Sequence, residues 1–280
     1  MRSLSTKQLI APVRAALLEM ALRLPAEVRA ALARAREAES MPRAREILGL
    51  LLENAAAAEA QCLPLCQDTG MVVIFAEVGE GVCLEGDLQA ALDAGVAAAY
   101  TEGYLRPSVL ADPLRRNSNT GANTPAIVHL QRVPGDRVTL HLAAKGGGSE
   151  NQSAVWMLSP SQGREGIIAA VVERMRQAGG RPCPPLVLGL GIGGNFETAP
   201  LLAKRALLRT LGEPSPDAEL AALEAEILAQ VNATGVGPNG MGGDTTALAV
   251  HALTAPCHLA TLPVALNVQC HAARHATVVI

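Results

Sequence analysis

The first 61 residues place apolar side chains at the spacing of an α-helix. Alanine, leucine, arginine and glutamate dominate this stretch, and its apolar positions recur at intervals of three and four. Pro25 and Pro42 stand where first helical turns would begin, a position that tolerates proline. We predict two or three helices over residues 1–61, forming a helical N-terminal segment without chemistry of its own.

Shorter apolar runs follow, separated by loops rich in glycine and proline. The predicted strands cover residues 71–78, 126–130, 137–143, 186–190, 245–253 and 262–268, with a further candidate at 276–280, and the predicted helices cover about 87–101, 166–178, 197–210 and 217–231. The turn signal at residues 133–136 predicts a β-hairpin between the second and third strands. This mixture indicates the α/β class with one mixed sheet. No repeat or low-complexity linker divides the chain, so we predict one domain over residues 1–280.

Composition and charge limit the kinds of molecule that this protein is expected to bind. The chain has 280 residues, of which 49% are hydrophobic, 18% charged and 2% aromatic, which excludes a disordered protein. Its net charge of −3 provides no basic field for nucleic acid or an anionic membrane, and stacking aromatics are almost absent. These features indicate a protein that acts on small molecules.

One stretch, residues 245–273, has no charged side chain and is long enough to span a bilayer. It contains Pro256 and Pro263, however, and its apolar runs are short, so buried strands and loops explain it better. The N-terminus lacks the apolar core and cleavage site of a signal peptide. We expect a cytoplasmic protein whose six cysteines are reduced thiols or metal ligands.

Polar and glycine residues concentrate in the loops between these elements. Such loops cover residues 66–70, 104–108, 119–125, 145–151, 183–185, 189–195, 239–244 and 270–275. Backbone N–H groups are unobstructed in glycine-rich loops, which suits an anion or a metal cluster. Three cysteines lie in them, at Cys66, Cys183 and Cys270. Dispersed cysteines are usually inert, so their spacing alone leaves a metal site and unreactive thiols both open.

Two other features, the glycine run at residues 189–194 and Lys145, each allow more than one interpretation. Residues 189–194 match the G-x-G-x-x-G pattern of dinucleotide-binding dehydrogenases, but they come late in the chain and lack a clear βαβ unit. Lys145 is one of three lysines and precedes three glycines. It is either a group that binds a carboxylate or a solvated loop charge.

The strings CQDTG, GYLRPSV, NTGANTPA, KGGGSEN, CPP, GIGGNFE and NVQCHAARHA occur in this order along the chain. Together they resemble the α-type half of the iron–sulfur hydro-lyases, the class I fumarate hydratases and L-tartrate dehydratases. The string at 103–109 and the loop after Lys145 are more similar to the two-subunit fumarases. The resemblance therefore implies the hydration of fumarate to L-malate, with L-tartrate dehydration as the alternative.

The resemblance implies a [4Fe–4S] cluster ligated by Cys66, Cys183 and Cys270. Three cysteines leave one iron open, and an open iron acts as a Lewis acid on a departing hydroxide. The other cysteines are then bystanders: Cys62, Cys83 and Cys257. Without the resemblance, the sequence around Cys83 predicts a small apolar residue of a strand, and the sequence around Cys62 predicts the end of a helix.

The resemblance also implies roles for polar residues. Asp68 would transfer a proton or orient water, and His258 would be the histidine near the site. The sequence Asp-Thr-Gly also allows a second interpretation, in which Asp68 only forms a turn. The implied substrate contacts are Gln67, Arg106, Lys145, Gly146 and Gly147. Arginine suits this task because its guanidinium pairs with a carboxylate through two hydrogen bonds.

The chain ends at Ile280, just after the last string. In this family, further substrate-binding cations and the group that takes the carbon-bound proton lie in a second part. The resemblance therefore implies a separate β-subunit that completes the active site, a C4 dicarboxylate substrate and an α₂β₂ assembly. The chain alone would be inactive.

Overall fold

The computed structural model describes residues 2–280, and they form two compact units. Unit 1 consists of residues 2–25, 55–147 and 274–280; unit 2 consists of residues 26–54 and 148–273. The helices are α1 (Ile10–Leu22), α2 (Ala26–Ala38), α3 (Pro42–Gln61), α4 (Leu88–Glu102), α5 (Gly147–Glu150), α6 (Gly163–Ala178), α7 (Thr198–Ala206) and α8 (Ala218–Asn232). The strands are β1 (Arg2–Ser5), β2 (Met71–Gly79), β3 (Val82–Glu85), β4 (Ile127–Val133), β5 (Val138–Lys145), β6 (Ala154–Leu158), β7 (Leu186–Gly193), β8 (Ala247–Ala255), β9 (Leu262–Gln269) and β10 (Arg274–Val279).

Unit 1 contains a four-stranded sheet in the order β10-β5-β2-β4 and a parallel pair, β1 with β3. Helices α1 and α4 pack on each other and contribute to one core with this sheet. Helix α4 begins where the sequence places it, because the Asp87 side chain accepts a hydrogen bond of 3.0 Å from the N–H of Ala90.

The predicted hairpin of unit 1 is wrong, although both of its strands exist. Strand β2 lies between them: β4 runs parallel to β2, and β5 runs antiparallel to it. Residues 72–76 of β2 are all buried, so a neighbour on each side is needed to satisfy its backbone. The turn at 133–136 crosses the end of β2, where the N–H of Glu80 donates to Val133 O at 2.8 Å.

Unit 2 has its own four-stranded sheet, in the order β6-β9-β7-β8. Strands β7 and β8 are parallel, while β9 is antiparallel to β7 and β6 to β9. Helices α6 and α8 build one apolar core with this sheet. The α/β class is confirmed, but the chain has two four-stranded mixed sheets rather than the single sheet predicted.

Most predicted elements are found close to their expected bounds. Three helices occupy the N-terminal segment as predicted, but a strand, β1, precedes them. Strand β6 is not among the predicted strands, and it is only five residues long. Residues 245–273 supply the buried strands β8 and β9, as expected. Among residues 2–280, no helix combines the length and the apolar character needed to cross a membrane.

Candidate active site

In unit 1, the Cys66–Gly70 turn connects α3 to β2. Gly70 has φ +85°, and a Cβ atom there would lie 2.8 Å from the backbone nitrogen of Lys145. Only glycine therefore lets the turn approach the end of β5 this closely. Cys66 is a half-buried free thiol whose Sγ donates to Gln67 Oε1 at 3.6 Å, and Gln67 is exposed.

The Asp68 carboxylate is held by two backbone groups. Its Oδ1 accepts from the N–H of Gly70 at 3.1 Å, which is the turn contact expected of an Asp-Thr-Gly sequence. Its Oδ2 accepts from the N–H of Gly147 at 2.8 Å. Asp68 therefore forms the turn and is also oriented by the Lys145–Gly147 segment, with Gly146 close to Oδ2.

Lys145 is the last residue of β5, and only 5% of its surface is exposed. The interpretation as a solvated loop charge is therefore wrong. Burying an ammonium group is costly unless other groups compensate its charge, so the surroundings of Lys145 must offset that cost.

Three loops of unit 1 are joined by buried polar side chains that the sequence reasoning missed. Asn123 is fully buried; its Nδ2 donates to Gly70 O at 3.0 Å, and its Oδ1 accepts from the N–H of Ser108 at 2.7 Å. Thr69 Oγ1 donates to Arg106 O at 2.9 Å. The loop containing Arg106 is thus fixed to the Cys66–Gly70 turn, while the Arg106 side chain itself is exposed.

Tyr100 on α4 supports the same turn. Its hydroxyl donates to Gly70 O at 2.7 Å and to Thr69 O at 3.1 Å. Burial raises the pKa of Tyr100 from 10.0 to about 12, partly offset by its hydrogen bond to Thr69. The phenol therefore stays protonated and remains a donor at neutral pH.

Arg274, on β10, is a further residue that was missed. It is buried, and its Nη2 donates to Asp68 O at 2.8 Å. Its Nε and Nη1 are buried without a hydrogen-bond acceptor among residues 2–280. The sequence offered one signal, its position in the string that contains Cys270.

In unit 2, the segments of Cys183 and Cys270 lie side by side. Cys183 has φ +57°, and its carbonyl oxygen accepts from the backbone N–H of His271 at 3.4 Å and from His271 Nδ1 at 3.0 Å. Both cysteines are reduced thiols; Cys183 is exposed and Cys270 is half-buried. Residues 88 positions apart in the sequence are therefore joined next to two candidate ligands.

His258 lies in the exposed loop between β8 and β9 of unit 2. Its Nδ1 accepts from the N–H of Ala260 at 3.2 Å, and its backbone oxygen accepts from the N–H of Thr261 at 2.9 Å. With Nδ1 acting as an acceptor, the neutral ring carries its proton on Nε2. The loop therefore fixes the tautomer of this histidine.

The glycine run at 189–194 has a packing role. Strand β7 continues past the predicted end at residue 190, so residues 191–193 belong to the strand and not to a loop as predicted. A Cβ atom at Gly191 would lie 2.0 Å from Ala199 O, and one at Gly189 would lie 2.2 Å from Ala203 O. These glycines let α7 lie directly on β7, so we abandon the dinucleotide-binding interpretation.

The remaining cysteines have separate surroundings: Cys62 follows α3, Cys83 lies on β3, and Cys257 lies in the His258 loop. All three are exposed free thiols. Within residues 2–280, no three His, Cys, Asp or Glu side chains are grouped to hold a single metal ion. An iron–sulfur cluster takes one thiolate for each ligated iron, and Cys66, Cys183 and Cys270 fit it in donor chemistry as reduced, partly accessible thiols.

Comparison with known proteins decides the family. The model of the fumarate hydratase (Fumerase) family matches residues 10–279. This chain belongs to the fumarate hydratase family. It is a hydro-lyase of the α-subunit type, as the ordered strings predicted.

Two relatives of this chain are named as α-subunits. It is 42% identical over 263 residues to a putative L(+)-tartrate dehydratase subunit alpha of Methanocaldococcus jannaschii, covering 92% of each chain. It is 31% identical over 260 residues to the L(+)-tartrate dehydratase subunit alpha of Escherichia coli O157:H7, covering 92% of this chain and 86% of that one. The similarity extends over nearly the full length of each relative.

Proposed function

We propose that this chain is the cluster-bearing α-subunit of a hydro-lyase that reversibly adds water to fumarate to give L-malate. The observation that carries the proposal is the pairing of the Cys183 and Cys270 segments through His271, within a chain of the fumarate hydratase family. We assign residues 1–280 to one catalytic domain, since a single family model matches almost all of them.

Cys66, Cys183 and Cys270 would hold a [4Fe–4S] cluster. Thiolates are the ordinary protein ligands of such clusters, and three of them leave one iron without a protein ligand. When bound, the cluster supplies Lewis-acid assistance to the departure or addition of hydroxide. Cys62, Cys83 and Cys257 have no part in this assignment.

Asp68 is the proposed proton-transfer group of this chain. Hydrogen bonds from Gly70 and Gly147 fix both carboxylate oxygens, so the group is already oriented before substrate arrives. It would hold the proton exchanged with the water that is added. His258, whose Nε2 carries the proton, is the second proposed catalytic residue.

Substrate binding is assigned to Gln67, Arg106, Lys145, Gly146 and Gly147. A C4 dicarboxylate brings two negative charges, and the exposed Arg106 guanidinium suits a bidentate contact with one carboxylate. Lys145 adds a second cation at the end of β5. Because the N–H of Gly147 already donates to Asp68, Gly147 also orients that carboxylate.

A separate β-subunit would complete the active site and supply the group that takes the carbon-bound proton. The α-subunit names of the relatives support this partner, and an α₂β₂ assembly is our working hypothesis. Six cysteines in the reduced thiol form suit a reducing compartment, so we place the enzyme in the cytoplasm.

L-tartrate is the second candidate substrate. The relative with 42% identity is named for tartrate dehydration, which favours this alternative directly. Tartrate differs from malate by one additional hydroxyl group. Dehydration of tartrate would give oxaloacetate through the same loss of water.

The test is an anaerobic assay of this chain produced together with its β-type partner. Fumarate, L-malate and L-tartrate are supplied separately, and the chain alone serves as the control. We expect hydration of fumarate by the complex with the highest kcat/KM and negligible activity of the chain alone. A complex that prefers L-tartrate would replace the fumarase assignment, and full activity of the isolated chain would contradict the role of the β-subunit.

Single replacements of the proposed ligands test the cluster assignment. Cys66→Ala, Cys183→Ala and Cys270→Ala should each abolish retention of iron and sulfide, because each removes one thiolate. Cys83→Ala is the matched control, since Cys83 is a free thiol of unit 1 on a strand outside the proposed site. Equal loss of iron in all four variants would rule out this ligand set.

A further inference from the structure

Glu39 is a fully buried acid between α2 and α3 in unit 2. Its carboxylate accepts from the N–H of Asp244 at 2.9 Å and 3.0 Å, one distance for each oxygen, and from the N–H of Thr245 at 3.2 Å. Met41 N–H contributes a further contact of 3.2 Å. Burying a carboxylate is costly unless its oxygens are hydrogen-bonded, and here backbone donors supply those bonds.

The contact is reciprocal. Asp244 Oδ2 accepts from the N–H of Ser40 at 2.9 Å, 204 residues away in the sequence. This hydrogen bonding to Ser40 lowers the pKa of Asp244 below 3.8, so its side chain is a carboxylate at neutral pH. Two acids, Glu39 and Asp244, therefore fasten the loop before β8 to the N-terminal helices of unit 2.

That loop needs external support because its backbone is unusual. Asn239, Gly240, Gly242 and Gly243 all have positive φ angles, of 52°, 73°, 84° and 129°. Glycine loses much conformational freedom when it is fixed, so such a loop has little tendency to hold one conformation by itself. At Gly243 a Cβ atom would lie 2.6 Å from Ala44 Cβ on α3, so helix and loop backbone are in close contact.

The same loop touches the turn that carries Cys183 on both sides of the cysteine. Before it, a Cβ atom at Gly240 would lie 2.5 Å from the Cα of Gly180. After it, Asn239 N–H donates to Pro184 O at 2.9 Å, and Leu186 N–H donates to the carbonyl oxygen of Thr246 at 2.9 Å. Cys183, whose backbone is left-handed at φ +57°, therefore lies between residues of the turn that contact the loop.

We propose that Glu39 is a positioning residue for Cys183, acting through the 239–246 loop. The helical N-terminal segment would then take part in presenting a thiolate, in contrast to the sequence-based expectation that it has no chemistry. The inference rests on the proposed function only in that Cys183 is taken as a cluster ligand. The coupling between Glu39 and the Cys183 turn is a property of the chain itself.

The experiment compares Glu39→Gln with Glu37→Gln, an exposed acid two residues earlier in the last turn of α2. Backbone hydrogen exchange is measured on the full cluster-free chain, for peptides covering 237–247 and 179–190. We expect Glu39→Gln to speed exchange in both peptides by about tenfold, the effect of losing about one buried hydrogen bond. Exchange faster only in 237–247 would overturn the proposal, because the loop would then not control the Cys183 turn.

A second readout uses the reconstituted chain and an iron chelator under anaerobic conditions. Glu39→Gln should release iron about ten times faster than the unchanged chain, a typical cost of losing a residue that orients a metal ligand. Glu37→Gln should release it at the unchanged rate. Release from Glu39→Gln at that same rate would also overturn the proposal.

Asp244→Asn serves in the same two measurements if Glu39→Gln does not fold. It weakens the contact with Ser40 and leaves the buried acid in place. A chain that never takes up iron would contradict the proposed function instead, while the exchange comparison would still decide the role of Glu39.

Discussion

Units 1 and 2 each contain a four-stranded mixed sheet, but they fix their candidate residues by different means. Unit 1 relies mainly on buried polar side chains, since Asn123 and Tyr100 bind the backbone of the Cys66–Gly70 turn. Unit 2 relies mainly on close backbone contacts that need glycine, at β7 against α7 and at Gly180 against Gly240, with the buried Glu39 carboxylate as an additional polar contact. Each unit should therefore be sensitive to a different kind of substitution.

The largest effect is expected at Gly191 in unit 2. Gly191→Ala places a Cβ atom 2.0 Å from Ala199 O and 2.7 Å from the backbone nitrogen of Ala203, so α7 must move off β7. We expect destabilisation by about 3 kcal/mol or more, measured by urea unfolding.

Gly49→Ala is the matched control, because Gly49 lies inside helix α3 of the same unit. The nearest atom to its new Cβ is the flexible Arg36 Nε at 3.3 Å. Alanine favours a helix, so this variant should be neutral or more stable by about 0.5–1 kcal/mol. Equal losses in the two variants would contradict the close-contact account of β7.

A smaller loss is expected at Asn123 in unit 1. Asn123→Ala removes the donor to Gly70 O and the acceptor of Ser108 N–H in a fully buried place, and it puts alanine at φ +58°. We expect a loss of about 2–3 kcal/mol in the free energy of unfolding, also measured in urea.

Asn119→Ala provides the comparison for Asn123. Asn119 also makes two backbone hydrogen bonds, to Pro107 O and from Gly121 N–H, but it is exposed to water. Its replacement should cost under about 1 kcal/mol. A loss as large as that of Asn123→Ala would show that burial is not what makes Asn123 important.

The smallest effect is a pH dependence at Tyr100. Its folded pKa is about 12 against 10.0, so the folded state binds more protons between these values and its stability falls as pH rises from 10 to about 12. Tyr100→Phe should cost about 1–2 kcal/mol at pH 8 through its lost hydrogen bonds, and this cost should shrink between pH 10 and 12. A cost that stays constant up to pH 12 would contradict the raised pKa.

The sequence predicted the elements of both units better than their arrangement. Periodicity located α4, α6 and α8 within a few residues. It misassigned the pairing of β4 and β5, because the residues of a strand do not specify which neighbours satisfy its backbone. It also ended β7 too early, since glycine usually interrupts a strand and here makes room for α7.

For the candidate residues, too, the sequence identified local features better than their surroundings in the fold. The ordered strings were sufficient to identify the family and to single out Asp68 and Lys145, both of which are partly or largely buried. Asn123, Arg274 and Glu39 were missed because their importance lies in what surrounds them. A buried Asn or Glu is indistinguishable from an exposed one until the chain is folded.

The most direct test of the central claim is the iron and acid-labile sulfide content of the chain. It is measured after purification and reconstitution without oxygen, with the visible absorption spectrum recorded alongside. The account predicts about four of each per chain and a brown, oxygen-labile chromophore. A colourless chain free of iron after reconstitution would contradict the assignment of Cys66, Cys183 and Cys270 as cluster ligands.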